Sequence, residues 1–187
     1  MKQESAVKYI LRLALTLLLI TGVVAAALAG VNSITAPKIL ENQQAKIQSA
    51  IQTVLPGADV SGEVEFADAT GLVKTVYGAD IGYAVEVAPV GFGGEITMLV
   101  GVSREGKILG VAVVTQTETA GLGAVVAADS QAGKFFRDQF VGLSGTLAVE
   151  KDGGEISAVA GATITSRAVT VGINAALECI TNLEKLG

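Results

Sequence analysis

The sequence predicts a mixed α and β domain behind one long apolar helix, and three observations lead to this fold class. A run of nineteen residues without a charge stands near the N-terminus, at positions 13–31. Three runs rich in β-branched residues occupy the middle of the chain, and a stretch with helical spacing of its apolar residues closes it. The 187 residues suffice for one domain of about 100–150 residues and one further element.

Composition limits the chemistry that the chain can perform. Half of the residues are apolar and only 4% are aromatic, so valine, isoleucine, leucine and alanine must build the core. A net charge of −5 without a basic cluster argues against nucleic-acid binding. The absence of histidine and the single cysteine, Cys179, exclude a His-ligated metal site, a Cys-ligated iron–sulfur cluster and a Ser-His-Asp triad within the chain. Redox chemistry would therefore need a bound organic cofactor, and Cys179 is expected to be a small core residue.

The uncharged run is long enough to cross a bilayer. As a helix, residues 13–31 would span roughly 28 Å, close to the hydrocarbon thickness of about 30 Å. Three basic residues precede the run against one acidic residue, namely Lys2, Lys8 and Arg12 against Glu4. This balance predicts a short cytoplasmic N-terminus at 1–12, a transmembrane helix at 13–31, and the rest of the chain outside the cytoplasm.

A cleaved signal peptide is the alternative for this segment. The sequence Ala-Leu-Ala at 27–29 fits a small-residue cleavage site, although a nineteen-residue apolar region exceeds the usual length of about 7–15 residues. Either interpretation exports the domain. After Pro37, an amphipathic stretch ends at Pro56-Gly57, which predicts a linker helix within residues 32–57 and an extracytoplasmic domain at 58–187.

The first half of this domain is predicted to be a sheet. Residues 58–80 are typical of short strands and turns. Apolar and other residues alternate from Tyr83 to Val87, and further runs stand at 96–102 and 108–114. The glycine-containing connection of five residues between the last two runs indicates a β-hairpin. Because residues 111–114 are apolar on both faces, helices should cover that part of the sheet.

A helical stretch broken near Gly133 is predicted next. Its aromatic face comprises Phe135, Phe136 and Phe140, for which a place in the core is the favoured interpretation. A short strand at 147–149 and a turn at 152–154 would then lead to the last helix.

The segment before the last helix combines small residues with hydroxyls. Gly161 and Ala162 precede Thr163, Thr165 and Ser166, and helical spacing of apolar residues starts directly afterwards. Thr165 or Ser166 is therefore predicted to be the N-cap, which places Thr163 just outside the helix, where free N–H groups favour an anion. On this geometry alone, the alternatives are a phosphate site and an ordinary capped helix after a turn.

The residues AGATITS at 160–166 resemble the (S/T)GAT motif of the FMN-binding domain family, with Ala160 where Ser or Thr is usual. Two more segments resemble that family in the same order, GFGG at 91–94 and ETAGLG at 118–123. The resemblance implies that Thr163 carries FMN through a phosphoester bond and that Lys134 neutralises phosphate charge. The other cofactor-binding residues that it implies are Gly93, Gly94, Glu118, Thr119, Leu122, Gly123, Gly161, Ala162, Thr165 and Ser166.

Together with the N-terminal anchor, these motifs resemble the G subunits of Rnf-type ion-translocating ferredoxin:NAD⁺ oxidoreductases. The resemblance implies an α+β fold, in which a curved antiparallel sheet and packed helices form the FMN-binding domain. It also implies electron transfer on the outer side of the membrane, between multi-span flavin and iron–sulfur subunits, with no catalytic residue in this chain alone. The alternatives are the FMN subunit of a sodium-translocating NADH:quinone reductase, another membrane flavin reductase, or a non-redox exported binding or assembly module.

Overall fold

The computed structural model describes residues 6–186, and side chains are described for residues 8–185. Lys2 and Glu4, on which part of the topology prediction rests, lie outside the described residues. The chain divides into two compact units, Met1–Ala45 and Lys46–Gly187. The elements are, in order, α1 (Ala6–Val54), β1 (Val60–Glu63), β2 (Val73–Ala79), β3 (Gly82–Val87), β4 (Thr97–Ser103), β5 (Ile108–Thr115), α2 (Gln131–Asp138) and α3 (Thr163–Leu186), with 3₁₀ turns at Gly123–Ala127 and Glu150–Asp152.

The predicted membrane helix and linker helix form one continuous element. α1 runs for 49 residues with Pro37 inside it. The proline removes one backbone hydrogen bond, but the residues that follow it form helices readily and contain no glycine before Gly57, so the helix continues. By length and composition this helix can cross a membrane, since the mean hydropathy of an eighteen-residue window reaches 2.4.

The predicted β region forms a five-stranded antiparallel sheet in which the strands lie in chain order. The expected short strands between residues 58 and 80 are β1 and β2. The expected hairpin joins β4 and β5, and its register pairs Val102 with Ile108 and Gly101 with Gly110. The α+β fold class is therefore confirmed.

Helical residues cover both faces of the sheet, as the apolar strands required. On one face, Val85 and Val100 belong to the same buried cluster as Ile173 of α3. Their chain neighbours Ala84 and Leu99 point to the other face, where they join a second cluster with Val54 of α1. The sheet is thus the middle layer of the domain.

The region of α2 departs from the prediction in two ways. Gly133 lies inside the helix and does not break it, because its backbone packs against the carbonyls of Val125 and Ala128, where a side chain would not fit. Phe136 and Phe140 are fully buried, with their rings edge to face at 5.4 Å, but Phe135 is 64% exposed. Phe136 lies on the inner face of α2 and Phe140 lies in the turn that follows the helix, whereas the adjacent Phe135 is exposed, so only two of the three phenylalanines reach the core.

Two smaller predictions have different outcomes. Cys179 is buried in the core as expected, and burial raises the pKa of its thiol to about 11. The predicted strand at 147–149 is wrong. Only Val149 pairs there, through a single parallel bridge with Ile156, and a 3₁₀ turn follows at once.

Candidate functional site

A cavity of about 400 Å³ lies where the loop after β5 meets the beginning of α3. This volume is within the range of roughly 300–1,000 Å³ that small-molecule sites occupy. Four separate chain segments contribute to it, so the cavity exists only in the folded domain. Its lining residues are Phe92, Glu118, Thr119, Leu122, Gly123, Lys151, Gly161, Ala162, Thr163, Ile164 and Thr165.

The beginning of α3 forms one wall of the cavity, and it differs from the prediction. The helix begins at Thr163, and the amide of Ser166 donates to the carbonyl of Ala162 over 2.9 Å. Thr165 and Ser166 are therefore inside the first turn, and the prediction that one of them is the N-cap is wrong. Gly161 makes this entry possible, because its φ of +75° belongs to the left-handed region that favours glycine.

Thr163 is nevertheless placed where an anion would be favoured. Its side chain is half-buried and lines the cavity in the first turn of α3. The first N–H groups of a helix have no acceptor within it, and the helix dipole is positive there. Lys151 adds a cation, since its Nζ donates a hydrogen bond to Oγ1 of Thr163 over 3.1 Å. A hydroxyl, a cation and a helix N-terminus meet at one point, which is the chemistry that a phosphate ester requires.

Glu118 joins three segments of the site. Its carboxylate is buried, and its Oε1 accepts a hydrogen bond of 2.7 Å from the backbone N–H of Gly93. Its Oε2 accepts a hydrogen bond of 2.5 Å from the hydroxyl of Thr165. Gly123 lies against this contact, so close that an added Cβ would be 2.5 Å from the carboxylate and 2.6 Å from the Thr165 hydroxyl. The glutamate therefore fixes the glycine loop of residues 91–94 and the loop of residues 118–123 against the start of α3.

The outer part of the cavity is apolar. Phe92, Leu122 and Ile164 line it and are also exposed by 70%, 45% and 52%. We refer to these three residues as the apolar rim. Ligand sites typically combine such surfaces with a few placed polar groups. The cavity thus combines polar groups at the start of α3 with an apolar rim.

Eight of the predicted site residues line this one cavity, namely Glu118, Thr119, Leu122, Gly123, Gly161, Ala162, Thr163 and Thr165. The remaining four lie elsewhere. Gly93 donates its backbone N–H to the carboxylate of Glu118, and the backbone of Gly94 packs against the side chain of Thr117. Ser166 is fully buried, and its hydroxyl accepts from the amide of Val159. Lys134 is exposed on α2 and does not line the described cavity.

Three lining residues were not predicted. Phe92 stands within the predicted glycine loop, and Ile164 stands next to Thr163, so their positions in the motifs could have identified both. Lys151 had no such signal. It reaches Thr163 because the 3₁₀ turn Glu150–Asp152 lies beside α3, and this proximity is a property of the fold.

Comparisons with known proteins agree with the cavity and with the N-terminal helix. The FMN-binding domain family matches residues 91–178, and the family described as the RnfG N-terminal region matches residues 1–54. The G subunit of the Na⁺-translocating ferredoxin:NAD⁺ oxidoreductase complex of Acetobacterium woodii is 33% identical, over 95% of each chain. The G subunit of the proton-translocating ferredoxin:NAD⁺ oxidoreductase complex of Clostridium ljungdahlii is 37% identical, over 87% of this chain and 85% of its own.

A third relative extends the comparison. The G subunit of the ion-translocating oxidoreductase complex of Methanosarcina acetivorans is 31% identical, over 95% of this chain and 97% of its own. These relatives cover nearly the whole length of the chain, from the apolar helix through the cavity. The chain therefore belongs to the family of G subunits of Rnf-type ion-translocating oxidoreductase complexes, and it contains that family's FMN-binding domain.

Proposed function

We propose that this chain is the membrane-anchored electron-transfer subunit of an ion-translocating ferredoxin:NAD⁺ oxidoreductase and that it holds FMN in the cavity at the start of α3. The observation that carries the proposal is that the cavity lies within the part of the chain that matches the FMN-binding domain. Every residue that lines the cavity, from Phe92 to Thr165, falls within residues 91–178, the part that matches the FMN-binding domain. The chain contributes to catalysis only as a subunit of the complex.

We further propose that FMN is attached covalently, through a phosphoester bond to Oγ1 of Thr163. Three features support this residue over the other hydroxyls. Thr163 lines the cavity, whereas Ser166 is buried beneath it, and Thr165 already donates its hydroxyl proton to Glu118. Of these three hydroxyls, that of Thr163 is the one that lies beside a lysine ammonium and is free of a buried carboxylate. A tether at this position would prevent loss of the cofactor from an exported domain.

When bound, FMN would supply the centre that accepts electrons and passes them on. The residues of the chain hold and shield that centre. Thr163 would tether the phosphate, and the apolar side chains of Leu122 and Ile164, which line the cavity, would shield the ring from water. Glu118 fixes the loops around the cavity. Electron transfer requires orientation and a suitable electrostatic environment more than an acid–base residue, which agrees with a site built without histidine.

We infer that the FMN domain lies outside the cytoplasm, on a single-pass anchor in the lipid bilayer. The apolar part of α1 and the basic residues before it favour this orientation. The electron-transfer partners would then be other subunits of the complex, multi-span flavin and iron–sulfur proteins. The match over residues 1–54 to the RnfG N-terminal region favours this complex over a sodium-translocating NADH:quinone reductase.

The experiment that tests the proposed function is mass spectrometry of the chain purified from its own membrane. The intact mass should exceed that of the polypeptide by FMN less one water, and fragmentation should place the addition on Thr163. Yellow colour and in-gel flavin fluorescence after denaturation should accompany it. An unmodified chain without flavin would contradict the proposal and favour a non-redox binding or assembly module.

The orientation is tested separately with a reporter fused after Gly187. Alkaline phosphatase, which is active only outside the cytoplasm, should be active in this fusion, because one membrane crossing follows a cytoplasmic N-terminus. Green fluorescent protein at the same position should not fluoresce after Sec export. Activity of the second reporter in place of the first would reverse the orientation without affecting the assignment of the FMN site.

A further inference from the structure

We propose that Lys151 neutralises the phosphate of FMN at Thr163, and that the ion pair between Asp152 and Arg167 positions Lys151 for this role. The inference rests on the proposed attachment of FMN to Thr163. It assigns the role to a lysine that the motifs do not contain, and it withdraws that role from Lys134.

The first observation is the contact itself. The Nζ of Lys151 lies 3.1 Å from Oγ1 of Thr163 and donates to it. If phosphorus replaces the hydroxyl hydrogen, Oγ1 becomes the ester oxygen, and negatively charged phosphate oxygens lie beside the same ammonium. A lysine ammonium carries three donors, so two remain after the contact with Oγ1. Hydrogen bonds between an ammonium and a phosphate are charge-assisted and therefore stronger than those between neutral groups.

The second observation is an ion pair directly beside Lys151. Its neighbour Asp152 accepts two hydrogen bonds from the guanidinium of Arg167, 2.6 Å from Nε and 2.5 Å from Nη2. Arg167 follows Thr163 by four residues, so both side chains leave the same face of α3. The turn of residues 150–152 thus contacts one helix face twice, through Lys151 to Thr163 and through Asp152 to Arg167. The pairing is electrostatic, and hydrogen bonds from Arg167 lower the pKa of the Asp152 carboxyl below its usual range.

The third observation is that buried residues and backbone hydrogen bonds hold the turn of residues 150–152 in place. Val149 and Ile156, which flank it, are each only 1% exposed. The amide of Glu150 donates to the carbonyl of Ile156 over 2.9 Å, and the amide of Asp152 donates to the carbonyl of Val149 over 2.8 Å. The backbone that carries Lys151 is therefore anchored in the core, although the lysine side chain is exposed. This arrangement distinguishes Lys151 from a lysine on a loosely held surface loop.

The experiment compares three lysines in the full-length chain, expressed in cells that flavinylate the wild type. Lys151→Ala should slow the appearance of covalent flavin, followed by in-gel fluorescence and intact mass, by about tenfold, as expected for the loss of one hydrogen bond to a charged group. Lys151→Arg should restore most of the rate because it retains the charge. Lys107→Ala, at an exposed position in the β4–β5 turn, is the matched control and should load like the wild type. Lys134→Ala should also load like the wild type.

A spectroscopic measurement separates phosphate contact from a general effect on folding or on loading. The ³¹P resonance of the flavin phosphodiester should shift in the loaded fraction of Lys151→Ala, and it should coincide with the wild type in Lys107→Ala. Arg167→Gln, which removes the ion pair with Asp152 but retains Lys151, should shift the same resonance by a smaller amount. Circular dichroism in detergent serves to verify that each variant is folded.

The possible failures are distinguishable. Normal loading and an unshifted ³¹P resonance in Lys151→Ala would overturn the inference while leaving the attachment to Thr163 intact. Slower appearance of covalent flavin in Lys134→Ala, with a wild-type rate in Lys151→Ala, would assign neutralisation of the phosphate to Lys134 instead. Loss of covalent flavin would be expected in Thr163→Val in both cases, so its retention there would refute the attachment site itself.

Discussion

The helices α1 and α3 both pack against the sheet of this domain, and they do so in different ways. The last part of α1 contacts one face through apolar side chains and very close backbone approach, which Gly101 and Gly110 permit by lying directly beneath Val54. The beginning of α3 instead carries buried hydroxyls at Thr165 and Ser166 and contacts a buried carboxylate at Glu118. Polar groups are buried at the end that forms the cavity, where each of them has a hydrogen-bond partner.

This difference separates stability from function within one small domain. Apolar contact at the end of α1 stabilises the sheet without directional requirements, so its disruption should lower the free energy of unfolding and leave the cavity chemistry unchanged. The network at the start of α3 fixes directions and distances around a ligand. Its disruption should change the attachment or the spectrum of the flavin before it changes stability. Four substitutions, at the end of α1 and around the start of α3, compare the two regions from the largest expected effect to the smallest.

Thr163→Val should abolish covalent flavin completely, because the substitution is nearly isosteric but removes the oxygen that forms the ester. The fold should survive, since Thr163 is only half-buried and its hydroxyl only accepts a bond from Lys151. Intact mass measures the loss, and circular dichroism measures the fold. Thr181→Val is the matched control on the same helix, since its hydroxyl only donates to the carbonyl of Leu177. Retention of covalent flavin in Thr163→Val and its loss in Thr165→Val or Ser166→Ala would move the attachment site.

Gly101→Ala should strongly destabilise the domain at the α1 end, by about 1–3 kcal/mol or more, because its Cβ would overlap the backbone carbonyl of Val54. Gly110→Ala should cost less, since its Cβ would lie 3.0 Å from Cα of Val54. Thermal unfolding in detergent measures both variants. Each should carry the same amount of flavin per folded molecule as the wild type. A flavin-free but folded Gly101→Ala would show that the two ends of the domain are not independent.

Glu118→Ala should lower the free energy of unfolding by about 1–3 kcal/mol, because the amide of Gly93 and the hydroxyl of Thr165 lose a buried acceptor. Unlike Gly101→Ala, it should also change the absorption spectrum of the bound flavin, since the loops of the cavity are no longer held together. Glu118→Gln keeps an acceptor for Gly93 and is the matched control. Equal spectra for the Ala variant and the wild type would place these loops away from the flavin ring.

Asp152→Asn should produce the smallest effect on stability, because the ion pair with Arg167 is exposed to solvent. The folded-state pKa of Asp152 is lowered by its hydrogen bonds from Arg167, so its contribution is present above the usual carboxyl pKa of about 3.9 and is lost as pH falls through the lower folded-state value. When the free energy of unfolding is measured as a function of pH in acid, Asp152→Asn should lack the loss of stability that protonation of Asp152 causes in the wild type. Identical acid profiles for the two proteins would show that the pair does not form in solution.

Much of the fold could be predicted because it follows from local patterns. The runs that became β3, β4 and β5 alternate or are uniformly apolar, and the turn of residues 103–107 has the composition of a hairpin. The departures occurred where the surroundings override the preference of one residue, namely helix-forming neighbours at Pro37 and close packing at Gly133. Pro37 stays inside α1 and Gly133 stays inside α2, although both residues usually interrupt helices.

The candidate site was predictable to the extent that it resides in contiguous motifs. The segments at 91–94, 118–123 and 160–166 meet at one cavity, and the family that they indicated is confirmed by the comparisons. What the motifs could not give was the burial and the hydrogen-bond partner of each hydroxyl. The three hydroxyl residues stand within four positions of the sequence, and only the start of α3 at Thr163 separates one that is half-buried from two that are fully buried.

The sequence by itself therefore determined the apolar helix, the hairpin of β4 and β5, the family and the segments that form the site, because each depends on residues that are neighbours along the chain. Only the tertiary structure decided that Glu118 joins Gly93 to Thr165, that Lys151 and not Lys134 lies at Thr163, and that Arg167 pairs with Asp152. These contacts connect residues between 12 and 47 positions apart. No local pattern encodes such distances, since they depend on how the packed sheet and α3 bring separate loops to one point.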